Sequence, residues 1–116
     1  MNAVNSAMHL KLTQALGWLS HARGVGVQDV VVDRVHTDSR SLQAGDLFVA
    51  LRGERFDGNQ FAQEALNLGA AAVMISDESQ TARPAVLVND TRLALGKLAN
   101  NWRKTLRAPI AAITGS

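Results

Sequence analysis

Apolar residues in this chain are arranged in two ways, as short continuous runs and as longer segments with helical spacing. Three segments with continuous runs, at 47–51, 71–76 and 85–90, are typical of strands that are buried on both faces. The valine-rich segment 29–38 predicts another strand through its β-branched content. The segment 108–116, "APIAAITGS", predicts a last strand that runs into a glycine-bearing turn.

Capping residues and apolar spacing predict three helices between these strands. The helices begin near Thr13, near Asp57 and at Asp90 or Thr91, and they end near Ser20, Gly69 and Arg107. The last helix is the longest, and its apolar stripe consists of Leu95, Leu98, Trp102 and Leu106.

This alternation of strands and helices predicts an α/β fold, with a mixed sheet and flanking helices. The sheet is expected to be mixed because the turn region between the first strands is too short for a crossover helix. The end of the long helix near Arg107 suggests a boundary, so residues 1–107 are predicted to form one domain and 108–116 to begin another.

The composition excludes several classes of protein. With 47% apolar and 19% charged residues in 116, the chain is an ordinary globular one. It has no cysteine and only three scattered histidines, so neither a disulfide framework nor a metal site is predicted. A net charge of +2 and an aromatic content of 4% argue against a nucleic-acid surface. No apolar stretch approaches the roughly 18 residues of a membrane span, so we expect a cytoplasmic protein.

Three polar turns follow predicted strands, where α/β folds commonly bind ligands. The turn at 36–40 is explained by a solvated strand end, and the turn at 88–92 by helix capping. The turn at 52–58 contains two arginines and a glutamate close to Phe56 in the sequence. A ligand-binding loop and a plain connection explain this composition equally well. No Ser/His/Asp arrangement or carboxylate pair is present at a catalytic spacing, so no catalytic residue is predicted. Hydroxyls, backbone amides and arginines at strand ends suit a phosphate-bearing ligand.

The segments 36–76, 88–103 and 113–116 resemble the N-terminal domain of the bacterial Mur ligases, most clearly in "DSR", "GDLFVAL" and "DG". The details "GERFDG", "DTRLALGKLA" and "ITGS" favour the members that add D-alanyl-D-alanine over the members that add a diamino acid. The resemblance implies that residues 1–107 hold the UDP end of a UDP-N-acetylmuramoyl-tripeptide. It also implies that 108–116 begin a central ATP-binding domain.

The resemblance also implies which residues bind the UDP group. Ser39 and Arg40 correspond to the turn beneath the uracil, and Glu54, Arg55 and Phe56 to the loop that closes over uracil and ribose. By their chemistry, Phe56 can stack on the base, the Ser39 hydroxyl can read its edge and Arg55 can approach the diphosphate.

Thr114, Gly115 and Ser116 resemble the first residues of the family's phosphate loop, which binds ATP with Mg²⁺. The partners implied are UDP-N-acetylmuramoyl-tripeptide, D-alanyl-D-alanine and ATP, and we expect a monomer that is inactive as a ligase by itself. Three alternatives remain: the corresponding domain of a diamino-acid-adding ligase, a stand-alone nucleotide-sugar-binding module, and an interaction domain without a ligand.

Overall fold

The computed structural model describes residues 8–53 and 56–115, and their side chains as far as Thr105. The strands are β1 (Leu10–Lys11), β2 (Arg23–Val25), β3 (Val31–Val32), β4 (Arg34–His36), β5 (Asp46–Val49), β6 (Ala72–Ile75) and β7 (Ala85–Leu87). The α-helices are α1 (Leu12–Trp18), α2 (Ala62–Asn67) and α3 (Thr91–Gly115), and short 3₁₀ helices lie at Ser39–Ser41 and Gly58–Phe61.

Five of these strands form one mixed sheet in the order β2-β7-β6-β5-β4. Strands β4 to β7 are parallel to one another, and β2 lies antiparallel to β7. Strands β1 and β3 form a separate antiparallel pair. The predicted α/β fold with a mixed sheet is therefore confirmed. The short turn region between the first strands is not what makes the sheet mixed, because it joins β4 and β5, which are parallel. That reason was wrong.

The three central strands of the sheet, β5, β6 and β7, are buried on both faces, as the continuous apolar runs predicted. Alternate residues of β5, β6 and β7 point to opposite sides, so that Leu47 and Val49 enter one hydrophobic cluster and Phe48 the other. Helices α1 and α3 contribute to the first cluster, and Ala62 and Ala65 of α2 contribute to the second. The structure is thus a sheet between two helical layers.

Two of the three predicted helix caps are confirmed. The Asp90 carboxylate accepts hydrogen bonds from the backbone N–H groups of Arg92 and Leu93, at the start of α3. Asp57 accepts from the N–H of Asn59 and so begins the 3₁₀ turn that leads into α2. The prediction for α1 was wrong, because its N-cap is Lys11 rather than Thr13 and no side chain caps it.

The single strand predicted over 29–38 is two strands in the structure. The chain changes direction at Asp33, whose N–H donates to the carbonyl of Gly45, so β3 pairs with β1 while β4 joins the large sheet. Strand β2 was not predicted, because "RGV" lacks a strand pattern and becomes a strand only by pairing with β7.

The strand predicted at 108–116 is also wrong, because α3 continues to Gly115. A helix pairs its backbone groups within its own segment, whereas a strand requires a neighbouring strand. The division into domains at 107 stays a prediction.

Candidate functional site

The carboxyl ends of β4, β5, β6 and β7 lie at one edge of the sheet, because these strands are parallel. The three polar turns at 36–40, 52–58 and 88–92 all leave strands at this edge. This is the part of an open α/β sheet where ligands usually bind.

A cavity of about 600 Å³ lies beside the first two of these turns. Its walls are formed by Thr37, Asp38, Ser39, Arg40, Phe56, Phe61 and Glu64. The structure therefore brings together three of the five residues predicted to bind the UDP group: Ser39, Arg40 and Phe56. The volume falls within the range of small-molecule sites.

Two stacked aromatic rings form the apolar part of this cavity. The ring centroids of Phe56 and Phe61 are 5.4 Å apart, and the ring planes are inclined by 17°. Phe56 is 52% exposed, although it is a large apolar side chain. An exposed ring that a second ring supports is suited to stacking on a planar ligand.

The strand-end turn forms the polar part of the cavity. The Asp38 carboxylate accepts hydrogen bonds from the backbone N–H of Arg40 (2.9 Å) and from its side chain, at Nε (3.1 Å) and Nη2 (2.9 Å). These bonds lower the pKa of Asp38 to about 2, and the side-chain bonds have the largest effect. Asp38 is therefore ionised at neutral pH, and Ser39 is held between two paired residues.

A second, more buried ion pair joins the first residues of β4 and β5, the strands that the turn connects. Arg34 donates from Nε and Nη2 to the two carboxylate oxygens of Asp46, at 2.9 and 2.7 Å. The Asp46 residue is 1% exposed, and its carboxylate also accepts from the N–H of Gln43. Burial raises the pKa of Asp46, but the hydrogen bonds from Arg34 and Gln43 outweigh it, and the net pKa is lowered.

The loop that carries Phe56 is closed at its base by backbone contacts. The N–H of Gly58 donates to the carbonyl of Leu51 at 2.8 Å, and Arg52 and Asp57 form an isolated antiparallel bridge. Within the loop, the N–H of Gly53 donates to the carbonyl of Phe56 at 2.6 Å. These bonds join Gly53 to Phe56 and Leu51 to Gly58, so they close the base of the loop.

Asn59 is a buried polar residue of this region that the sequence analysis did not single out. It follows the capping Asp57, and its side chain is hydrogen-bonded to the end of β6. The sequence offered no signal for this role, since an asparagine after a cap is ordinarily solvated.

The turn at 88–92 has a structural role, as predicted. Asp90 caps α3, and the Thr91 hydroxyl donates to the carbonyl of Ala50 at 2.7 Å in a buried position. A larger cavity of about 850 Å³ lies near this turn, between the ends of β6 and β7 and strand β2. Its charged lining combines Arg23 and Arg52 with Asp57, Asp77 and Glu78, and it contains none of the predicted site residues.

Other predicted residues lie elsewhere in the chain. Glu54, Arg55 and Ser116 are outside the described residues. Thr114 and Gly115 belong to α3 rather than to a turn after a strand. Within residues 8–53 and 56–115, no group of three or more His, Cys, Asp or Glu side chains is placed to hold a metal ion. In the same part of the chain, no helix combines the length and the apolar character that crossing a membrane requires.

Comparison with known proteins gives consistent results. Residues 31–103 match the model of the Mur ligase family, catalytic domain. The UDP-N-acetylmuramoyl-tripeptide–D-alanyl-D-alanine ligase of Escherichia coli K12 is 47% identical over 76% of this chain and 20% of its own length. The chain thus spans about a fifth of the length of this relative.

Two solved structures resemble the fold. A crystal structure of MurF from Acinetobacter baumannii superposes with a TM-score of 0.76 at 28% identity, over 89% of this chain and 22% of that one. The MurF ligase of Thermotoga maritima, solved in complex with ADP, gives a TM-score of 0.56 at 35% identity, over 64% of this chain and 17% of that one.

Proposed function

This chain belongs to the Mur ligase family, and we propose that it is the UDP-binding part of a ligase that adds D-alanyl-D-alanine to UDP-N-acetylmuramoyl-tripeptide in peptidoglycan synthesis. The observation that carries the proposal is the cavity of about 600 Å³ at the ends of β4 and β5. It combines a supported aromatic ring, Phe56, with the hydroxyl of Ser39 on a hydrogen-bonded turn. The names of the relatives support the choice of D-alanyl-D-alanine over a diamino acid.

In this proposal the residues of the cavity bind and orient the uracil end of the substrate. The exposed ring of Phe56 stacks on the uracil, and the Ser39 hydroxyl forms a hydrogen bond with the edge of the base. Glu54 and Arg55, which precede Phe56 in the chain, are expected to approach the ribose and the diphosphate. These contacts lie far from the carboxylate that reacts, so we expect them to affect mainly the affinity for the substrate.

ATP and Mg²⁺ belong to the chemical step of such a ligase, in which the terminal carboxylate of the tripeptide is activated by phosphorylation. The described side chains contain no set suited to a metal ion, and Thr114 and Gly115 are helical here. We therefore assign no step of the reaction to residues of this chain, and we expect it to hydrolyse no ATP alone. A cytoplasmic location and a monomeric state are part of the same proposal.

The proposal is tested by titrating the chain with UDP and following backbone amide signals by NMR. We expect saturable shifts at Ser39, Arg40 and Phe56, with ADP at equal concentration as the control nucleotide. Shifts confined to the larger cavity, around Asp77 and Asn89, or no shifts at all, would place the UDP site elsewhere. Equal shifts with ADP would show that the cavity does not distinguish the uracil base.

A further inference from the structure

The side chain of Asn59 is buried and fully hydrogen-bonded. The residue is 1% exposed. Its Nδ2 donates to the Asp57 carboxylate (2.8 Å) and to the Ser76 hydroxyl (3.1 Å). Its Oδ1 accepts from the backbone N–H groups of Ser76 (2.9 Å) and Asp77 (3.2 Å). An amide has two donors and two acceptor positions, so every bond that this side chain can form is made.

These bonds join two parts of the chain that are distant in sequence. Ser76 and Asp77 leave the end of β6, whereas Asp57 closes the loop that carries Phe56. The Asp57 carboxylate also accepts from the N–H of Asn59 at 3.0 Å, and its second oxygen lies 3.6 Å from Nε of Arg52. The Asn59 side chain therefore links the Asp57 carboxylate to the end of β6 in the central sheet.

Phe56 immediately precedes Asp57, so the position of Asp57 determines where the Phe56 ring can lie. The loop backbone is already closed by the bonds between Gly53 and Phe56 and between Leu51 and Gly58. These bonds do not connect the loop to the neighbouring strand β6. Among the described contacts, the Asn59 side chain is what links the Asp57 carboxylate to the end of that strand.

We propose that Asn59 is a positioning residue of the nucleotide site, which holds Phe56 against Phe61 in the orientation that a uracil base requires. The inference rests on the proposed function, because it assumes that a base stacks on Phe56. A loop that is ordered before binding loses less entropy when the ligand arrives, so its affinity is higher. Asn59 acts through Asp57 and Phe56 and is not expected to touch the ligand.

The test compares UDP affinity with the order of the loop in matched variants. In Asn59→Ala we expect the dissociation constant for UDP to rise about tenfold, which corresponds to roughly 1.4 kcal/mol. We also expect faster hydrogen exchange at the Gly53 amide, which reports the bond to Phe56. The matched control is Asn67→Ala, an exposed asparagine at the end of α2 that should change neither quantity.

A second control separates positioning from general loss of stability. Leu98→Ala destabilises the core at α3, away from the loop, and should leave the UDP affinity of the folded protein unchanged. If Leu98→Ala weakened UDP binding as much as Asn59→Ala, or if Asn59→Ala changed neither affinity nor exchange, the inference would be overturned. If Asn59→Ala does not fold, Ser76→Ala removes a single bond to Asn59 and should raise the dissociation constant about two- to fivefold.

Failure of the proposed function would look different. If the unaltered chain does not bind UDP, the proposed function fails, and the positioning of Phe56 is then judged from exchange at Gly53 alone. Unchanged exchange in Asn59→Ala would show that the loop does not depend on Asn59. Faster exchange there, with Asn67→Ala unchanged, would support the positioning of the loop.

Discussion

Gly58 lies where the loop that carries Phe56 meets the end of β5, and no larger residue fits there without a shift of the backbone. A Cβ atom at this position would lie 2.8 Å from the carbonyl oxygen of Leu51, 2.9 Å from its nitrogen and 3.0 Å from Cα of Ala50. All three are backbone atoms, so none can move aside as a flexible side chain could. We therefore expect Gly58→Ala to force the two segments apart.

The cost of this substitution can be worked out from two contributions. Forcing one extra methyl group into a packed site typically costs about 1–3 kcal/mol. Separation of the segments would also weaken the 2.8 Å bond from the Gly58 N–H to Leu51, and such a bond contributes about 1 kcal/mol net. We expect the free energy of unfolding to fall by about 2–4 kcal/mol in total, which lowers the folded-to-unfolded ratio by roughly two to three orders of magnitude.

Urea denaturation measures this loss directly. Trp18 and Trp102 pack against the larger hydrophobic cluster, so tryptophan fluorescence reports unfolding of the domain. With a slope of about 2 kcal/mol per molar urea, the middle of the usual range for small proteins, the midpoint should fall by roughly 1–2 M. Gly96→Ala is the matched control, because Gly96 lies in α3 and a Cβ atom added there would meet nothing within 4 Å, so this variant should gain about 0.5–1 kcal/mol. Unchanged stability of Gly58→Ala, or an equal loss in both variants, would refute the steric argument.

Four further outcomes are expected. Leu98→Ala should lower the unfolding free energy in urea by about 2–5 kcal/mol because Leu98 is 1% exposed, whereas Leu93→Ala on the same helix, at 66% exposure, should change it little. Melting temperature should fall as the pH drops below about 4. The pKa of Asp46 is lower in the folded state than in the unfolded one, so the stabilisation that its carboxylate provides is lost as the pH falls through the folded-state pKa. Asp46→Asn should flatten this part of the pH profile. Phe56→Ala should weaken UDP binding about tenfold in the NMR titration, while Phe56→Trp should retain it. Removal of 108–116 should leave the urea-unfolding free energy within about 0.5 kcal/mol, and a larger loss would contradict the domain boundary at 107.

The sequence predicts those parts of the fold whose pattern is local. The apolar runs of β5, β6 and β7 are buried on both faces, and a single side chain, Asp90, caps the long helix. Such features depend only on residues that are close together in the chain, so a short segment of sequence is enough to predict them. The order of strands, the break at Asp33 and strand β2 depend on pairing between distant segments, which spacing does not reveal.

The residues of the candidate site also fall into those that the sequence predicted and those that it did not. The resemblance selected Ser39, Arg40 and Phe56, and the structure places all three at one cavity. Asn59 was missed because it acts across the fold, by bonding to the end of β6. Phe61 lies only five positions from Phe56, but residue spacing alone does not show that the two rings stack. A residue whose contacts lie seventeen positions away in the chain has no local signature.

The Arg34–Asp46 and Arg40–Asp38 pairs differ in burial, and the difference bears on what Arg40 does. Arg34 and Asp46 form a pair whose carboxylate is 2% exposed, and this pair joins the first residues of β4 and β5. Arg40 is 87% exposed, so its pair with Asp38 contributes little to stability. A phosphate that approached Arg40 would nevertheless have to compete with a carboxylate already bound at two of its nitrogens. Arg40 is therefore better suited to shaping the turn around Ser39 than to neutralising a diphosphate, which leaves that task to residues outside the turn.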